Sequence, residues 1–327
     1  MELVTIIVAA YNVENYINKC VNSLMAQTYQ NIEMLLVDDG STDNTGMMIE
    51  EKKKGDSRIK VFHKTNGGLS DARNYGLDRM TGRYVTFVDA DDFVPQNYIE
   101  HMVSIIEARN ADVAVVRTCE FCDEKDINLD INYDFVTVSC EEAVRRMLTR
   151  NGIAHTACGK LYKVELWESL RFPYRKLYED YHTTFDAFSK ASTVAISEAR
   201  IYFYFQRPGS IMHYKCNERT VSIVEATREV TPRIIKYWPD LEVEALDLQL
   251  ALCLKCYQNI LNSDKNSFFD IQREIANIVS ANGWRLLLSS KTPMKDKVKV
   301  VIYFMGKKIF LNIYKKFDGS KWVNEEE

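Results

Sequence analysis

The sequence predicts an α/β protein: a Rossmann-like, mostly parallel sheet with helices on both faces, followed by a helical C-terminal region. Three observations predict it. Over the first 116 residues, short β-branched runs alternate regularly with longer helical patterns. The strand runs are almost continuously apolar, as strands covered on both faces must be. From Asn217 onward, apolar residues recur at helical spacing instead, as at Val221, Ile223 and Val224 and again from Leu248 to Leu254.

Taken in order, the strand candidates are residues 3–8, 32–37, 59–62, 84–88 and 113–116. Helical patterns fall between them at 13–27, 44–54, 70–80 and 95–109; the last opens with Pro95, whose fixed φ suits a first helical position. Gly82 marks the stop before the fourth strand. After Ala111 the rhythm changes to a strand at 135–138, helices at 141–150 and 182–190, and an aromatic strand at 201–205. The 327 residues, about two average domains long, divide into residues 1–213, with halves meeting at 116/117, and a helical region over 214–327.

Composition excludes several classes. Apolar residues make up 46% and charged residues 27%, the balance of a globular protein rather than a disordered, collagenous or polytopic membrane chain. Lys and Arg (42) nearly balance Asp and Glu (46) for a net charge of -4, which argues against a nucleic-acid partner. Eight cysteines scattered through a chain this long point to a reducing compartment. Two pairs, Cys119/Cys122 and Cys253/Cys256, have CxxC spacing but lie too far apart to share a compact zinc site. The apolar opening lacks the basic segment of a secretion signal, and no run approaches the roughly 20 apolar residues of a membrane span, so a cytoplasmic location is expected.

In parallel α/β sheets, ligands bind beyond the carboxyl ends of the strands, so the residues that follow each strand belong together. Here they are Ala9, Ala10, Tyr11 and Asn12; Asp38 to Asp43; and Asp89, Ala90, Asp91 and Asp92. The run from Asp89 to Asp92 has carboxylates two residues apart that can converge on a hard cation, magnesium or manganese. The competing reading is an acidic turn with a helix cap. Asp43 and Gly40 suit a cap and a turn, which leaves Asp39 to face the crevice and accept hydrogen bonds from a base imide and a ribose. Asn66, Gly67 and Gly68 precede a helix that carries Arg73, either a phosphate or base contact or a solvated side chain. Glu179 and Asp180 lead into a helix whose dipole alone would favour acids there. Arg207 to His213 follows the aromatic strand as a Pro- and Gly-bearing loop. GxGxxG and P-loop motifs are missing.

As a set, in order and spacing, these segments resemble the family 2 glycosyltransferases with a GT-A fold, densely over residues 3–110 and moderately over 158–213. The resemblance implies an inverting transferase that moves a hexose or N-acetylhexosamine from a nucleotide-diphosphate sugar, most often a UDP-sugar, with Mn2+ or Mg2+. It implies donor contacts from Ala9, Tyr11, Asp39, Arg73, Asp89, Ala90, Arg207 and Ser210, with Asp39 on the uracil. Asp91 matches the metal ligand, with Asp92 and His213 beside it, and Asp180 matches the general base, with Glu179 as the competing assignment. The residues from 117 to 213 become the acceptor side. Rival readings are a non-catalytic sugar-nucleotide-binding subunit and a sugar-1-phosphate nucleotidyltransferase; the latter lacks its glycine-rich loop after strand one.

Between residues 291 and 316, eight lysines face the single acid Asp296, interleaved with Val298, Tyr303, Phe304, Met305, Ile309 and Phe310. One reading is a helix lying on an anionic membrane surface, with a lipid-linked saccharide as acceptor; the other is a helix packed on the domain with its lysines solvated. The helical third also offers a surface for a homodimer.

Overall fold

A computed structural model describes residues 1–127, 131–206, 216–263, 268–307, 309, 310 and 313, in two compact units, Met1–Pro208 and Gly209–Glu327. The first unit opens with β1 (Val4–Ala10), α1 (Ile17–Met25), β2 (Ile32–Asp38), α2 (Thr45–Gly55), β3 (Ile59–His63), α3 (Leu69–Leu77), β4 (Tyr84–Asp89) and α4 (Tyr98–Ala108). It continues through β5 (Val113–Phe121), β6 (Phe135–Ser139), α5 (Cys140–Leu148), β7 (Lys160–Lys163), α6 (Glu179–Phe188) and β8 (Thr193–Phe205).

Among the described residues the strands form one eight-stranded sheet in the order β3-β2-β1-β4-β7-β5-β8-β6. The first four are mutually parallel, and every residue of β2 is buried because helices cover both faces. Register brings Ala10 beside Asp38 and Ala9 beside Asp89, so the acidic strand ends share one edge.

The second half departs from the expected succession of strands. β7, four residues long, runs antiparallel between β4 and β5 and separates the strands that the sequence places in succession. A segment that short, with lysine at both ends, carries too little periodicity to be read as a strand. β8 starts at Thr193, eight residues before the aromatic run at 201–205, because Ser197, Glu198 and Arg200 interrupt its apolar pattern. The helix expected from 182 starts at Glu179, after Tyr178 in the left-handed conformation (φ 57°).

The second unit contains α7 (Glu218–Tyr237), α8 (Glu242–Asn262), α9 (Phe269–Leu288) and α10 (Met294–Phe304). Asn217 opens α7 with a reciprocal capping box, its side chain accepting from the Thr220 amide while the Thr220 hydroxyl accepts from its own. α10 is shorter than the continuous helix expected over 291–316 and ends before Gly306 (φ +100°). Its two faces divide the two readings of that segment. Val300 and Ile302 are buried, and a buried Lys299 bonds Asp296 at 3.0 Å, whereas Val301, Phe304 and Met305 are exposed. Among the described residues no helix is long and apolar enough to cross a membrane.

Close backbone approach explains Gly82. A Cβ there would sit 2.7 Å from the Thr5 amide nitrogen and 2.8 Å from the Leu3 carbonyl oxygen, neither of which can swing aside. Gly82→Ala is expected to lower unfolding stability by about 1–3 kcal/mol. A urea titration would show this as a lower midpoint with an unchanged slope.

Candidate active site

The loops after β1 and β2 are tied to one another before any ligand arrives. The Asn12 amide donates to the Ser41 hydroxyl (3.1 Å), and the Thr42 amide donates back to Asn12 Oδ1 (2.8 Å). The Val13 amide donates to Thr45 Oγ1 (2.9 Å), and Glu14 and Asp43 exchange similar bonds with the facing loop. Ala9 and Ala10 bring the backbone to this edge, and Tyr11 is half exposed beside it. Gly40 makes the turn after β2, with φ +73°, and a Cβ there would lie only 2.9 Å from the Asn66 amide nitrogen, too close to fit.

Asp39 is buried at the floor of this corner. Its carboxylate accepts from the amides of Gly67 (3.0 Å) and Gly68 (2.7 Å) and from Lys64 Nζ (2.6 Å), and Lys64 also pairs with Asp71. Asp38 points to the outer side, where it meets His63 Nδ1 at 2.9 Å, and His63 Nε2 meets Glu50 at 3.1 Å. Both carboxylates push the His63 imidazole above its ordinary value, Asp38 most.

Arg73 lies one helical turn into α3 and is 2% exposed. Its Nη2 donates to Asp89 at 2.8 Å, and its Nη1 donates to Asp180 at 2.7 Å and Glu179 at 3.0 Å. The end of β4 and the first turn of α6 therefore meet on a single guanidinium. Phe172 covers that guanidinium, 5.2 Å from ring centroid to Cζ, and the Phe172 backbone is held to α3 by two bonds with Asn74. Burial, more than the neighbouring Asp180, pushes the Glu179 carboxyl up to about 7, and burial likewise raises Asp180.

The four residues after β4 separate in role. Asp89 turns to Arg73 and is 30% exposed, Ala90 is buried, and Asp91 is half-buried at the edge. Asp92 is buried, accepting from the Tyr202 hydroxyl at 2.7 Å and from the Phe205 amide at 3.0 Å. The same Tyr202 oxygen accepts from the Asp89 amide at 3.1 Å, so β8 holds the acidic turn in place. Burial, then Asp89 and Asp91, drives the Asp92 carboxyl well up.

The structure thus brings together Asp89, Arg73, Glu179 and Asp180, while Asp39 lies on the neighbouring β2 corner and Asp92 faces β8. Arg207, Ser210 and His213 lie outside the described residues. Lys64 and Tyr202 are the contributors that sequence reasoning passed over. Each acts through a contact distant in sequence, such as the 113 residues between Asp89 and Tyr202, and no local motif signals it.

The sequence model for glycosyl transferase family 2 matches residues 5–171, just over half of the chain. The chain belongs to that family. GlyG of Streptococcus pneumoniae serotype 4 is 32% identical over 292 residues, covering 83% of this chain and 94% of GlyG. GlyA of the same organism is 37% identical over 235 residues, 69% of this chain but 34% of GlyA, so the chain spans about a third of that relative. Among solved structures, S. aureus TarS 1–349 with UDP-GlcNAc superposes with a TM-score of 0.67 at 23% identity, covering 97% of this chain and 92% of that one. The Pyrobaculum calidifontis mannosyltransferase PcManGT, with GDP-Man and Mn2+, gives 0.60 at 16% identity and covers 97% and 85%. At those identities the likeness shows the fold, GT-A. This family 2 member is a glycosyltransferase that uses a nucleotide-sugar donor.

The acidic turn also bears on a metal. Asp91 and the second oxygen of Asp89 are hard donors that fit Mg2+ or Mn2+. Among the described residues no group of three acid, His or Cys side chains surrounds a point, so substrate and water oxygens would complete a coordination shell here.

The Arg73 cluster has a pH signature. Glu179 at about 7, against an ordinary 4.5, holds its proton more tightly folded than unfolded. Its contribution to stability is therefore complete below about pH 4.5 and is lost as pH rises through about 7. Arg73→Met strands three carboxylates and is expected to cost about 3–5 kcal/mol at pH 8. Urea unfolding should show a smaller loss at pH 5, where the acids take up protons.

Proposed function

We propose that this family 2 member is an inverting transferase that passes a hexose or N-acetylhexosamine from a UDP-sugar to a saccharide acceptor. The acceptor is lipid-linked and the product a surface polysaccharide or related glycan. The observation that carries the reading is the arginine-held group of Asp89, Glu179 and Asp180 at the carboxyl edge of the sheet. A carboxylate next to the acidic turn, where a diphosphate and its cation would lie, is what a base acting on the acceptor hydroxyl requires. TarS, of like fold, has been solved with UDP-GlcNAc, which supports a uridine donor.

In this mechanism Asp180 accepts the proton of the acceptor hydroxyl as its oxygen bonds the anomeric carbon. The bond from that carbon to the diphosphate breaks on the opposite side, so configuration inverts and no covalent glycosyl-enzyme forms. Arg73 positions Asp180 by holding one of its oxygens, and a raised carboxyl pKa makes the carboxylate a better base. Asp39 and the amides around it form the nucleoside corner, with Tyr11 alongside. A divalent cation held by Asp91 and Asp89 would offset the negative charge gathering on the departing diphosphate.

The α9–α10 surface supports a peripheral place on the inner face of the cell membrane. Trp284 stacks on Phe304 with centroids 5.6 Å apart, and both are exposed together with Leu288 and Met294, close in sequence to Lys291 and Lys295. Aromatic and basic groups in one exposed segment suit an anionic interface. A double variant, Trp284→Ser with Phe304→Ser, should lose sedimentation with phosphatidylglycerol vesicles and keep wild-type unfolding; equal sedimentation would remove the membrane from the proposal.

The decisive test is a thermal-shift screen of UDP-, GDP- and dTDP-sugars with and without manganese, followed by nucleotide release. Manganese-dependent stabilisation by a UDP-sugar with slow UDP release is expected. Binding without release would favour a sugar-nucleotide-binding subunit, and release of pyrophosphate a nucleotidyltransferase. Asp91→Ala and Asp180→Asn should each abolish transfer, with Asp180→Asn still binding donor in the presence of metal. Unchanged transfer by Asp180→Asn would move the base to Glu179.

A further inference from the structure

We propose that the cavity beside β5 and β8 is an acceptor subsite for an oxyanion, a phosphate or carboxylate carried by the sugar chain that receives the new residue. This rests on the transferase reading above and adds the chemistry of the acceptor. The cavity, about 870 Å3, opens along the second half of β5 and the facing residues of β8. Among the described residues its charged lining comprises Arg117, Arg150, Lys160 and Arg200 with the carboxylates of Glu120 and Glu198.

The cations are placed there by the backbone. The register of β5 against β8 shifts on both sides of Arg117 and sets Arg117 directly opposite Arg200. Like charges in that position repel, which a sheet avoids unless something anionic lies between or above them. Glu198 answers part of this with a 2.6 Å bond to Arg117, while Glu120 is engaged by Gln206 at 2.6 Å. The Nε of Arg117 is buried with no hydrogen-bond partner. Gly152, at φ +80°, leaves the space for that guanidinium, because a Cβ would lie 2.8 Å from Arg117 Cζ. At the floor, buried Lys160 is held by the carbonyls of Thr156 (2.6 Å) and Ala154 (2.8 Å). His155 adds no charge, since burial and then Lys160 push its imidazole down to about 4.

One loop connects the cavity to the reacting end. His155, Cys158 and Lys160 line the cavity, Asp180 lies close enough to act electrostatically on Lys160, and the His155 ring packs on Tyr181 at 5.2 Å. An acceptor whose hydroxyl reaches Asp180 would therefore have its neighbouring groups across this loop, facing the arginines. A neutral glycan would leave the apposition of Arg117 and Arg200 answered only in part, by Glu198; a phosphorylated or uronic sugar would answer the rest with charge-assisted hydrogen bonds.

The test uses the full chain saturated with UDP, so that phosphate probes do not report the donor corner. Methyl glucoside 6-phosphate, methyl glucuronide and neutral methyl glucoside are titrated by NMR line broadening, at low and high salt. At least one anionic probe should bind about tenfold or more tightly than the neutral one and weaken with salt; which one binds distinguishes a phosphate-bearing from a uronic acceptor. The double variant Arg150→Gln with Arg200→Gln, folded by circular dichroism, should lose that binding and keep the wild-type shift with UDP-sugars. Equal binding of the neutral probe, or anionic binding unaffected by the double variant, overturns the subsite. If UDP-sugars fail to stabilise the wild type while the anionic probe still binds through Arg150 and Arg200, the donor reading fails and the oxyanion site stands.

Discussion

One buried guanidinium organises the reacting edge of this protein. Arg73 is the point at which α3, the end of β4 and the start of α6 meet, and each arrives through a carboxylate. Three acids around one buried cation form an unbalanced group, and burial first, then the neighbouring acids, raises the carboxyls of Glu179 and Asp180. Asp89, 30% exposed, carries part of that excess to solvent. An excess of carboxylates over cations favours the uptake of positive charge.

Around that centre the remaining polar contacts fix loops rather than leave them to adjust. The β1 and β2 loops exchange bonds from Asn12 and Glu14 to Ser41, Thr42 and Asn44, and Tyr202 pins both Asp89 and Asp92 from β8. Interactions of this kind lower the ordering cost of binding, since the backbone is in place beforehand.

The first half of the chain was legible because its signals are local. Buried parallel strands show as apolar runs, and acids fall at strand ends where the fold requires a crevice, so Asp39, Asp89 and Asp91 could be placed on that edge from order and spacing, while Asp180 is singled out through the family resemblance. What stayed hidden depends on partners distant in sequence. Nothing near Arg73 shows that it would gather three acids instead of standing free for a phosphate, and nothing near Asp92 shows that Tyr202, 110 residues on, would claim it. β7 was missed for the same reason: its place is defined by β4 and β5 on either side and not by its own four residues. At the C-terminus the breadth of the apolar arc on α10 left packing and exposure undecided, and the structure divides them between its two faces.

The position of β7 also bears on how the chain acquires its structure during synthesis. β4 finishes at Asp89, yet the neighbour that completes its outer edge is encoded some seventy residues later, at Lys160–Lys163. Until that stretch leaves the ribosome, β1 to β4 present an unpaired strand edge, a template for pairing with other chains. Closing the sheet then requires a long loop to be ordered, a slow step for non-local pairings. The nascent N-terminal half therefore exposes an edge that the finished sheet covers, and exposed edges favour aggregation.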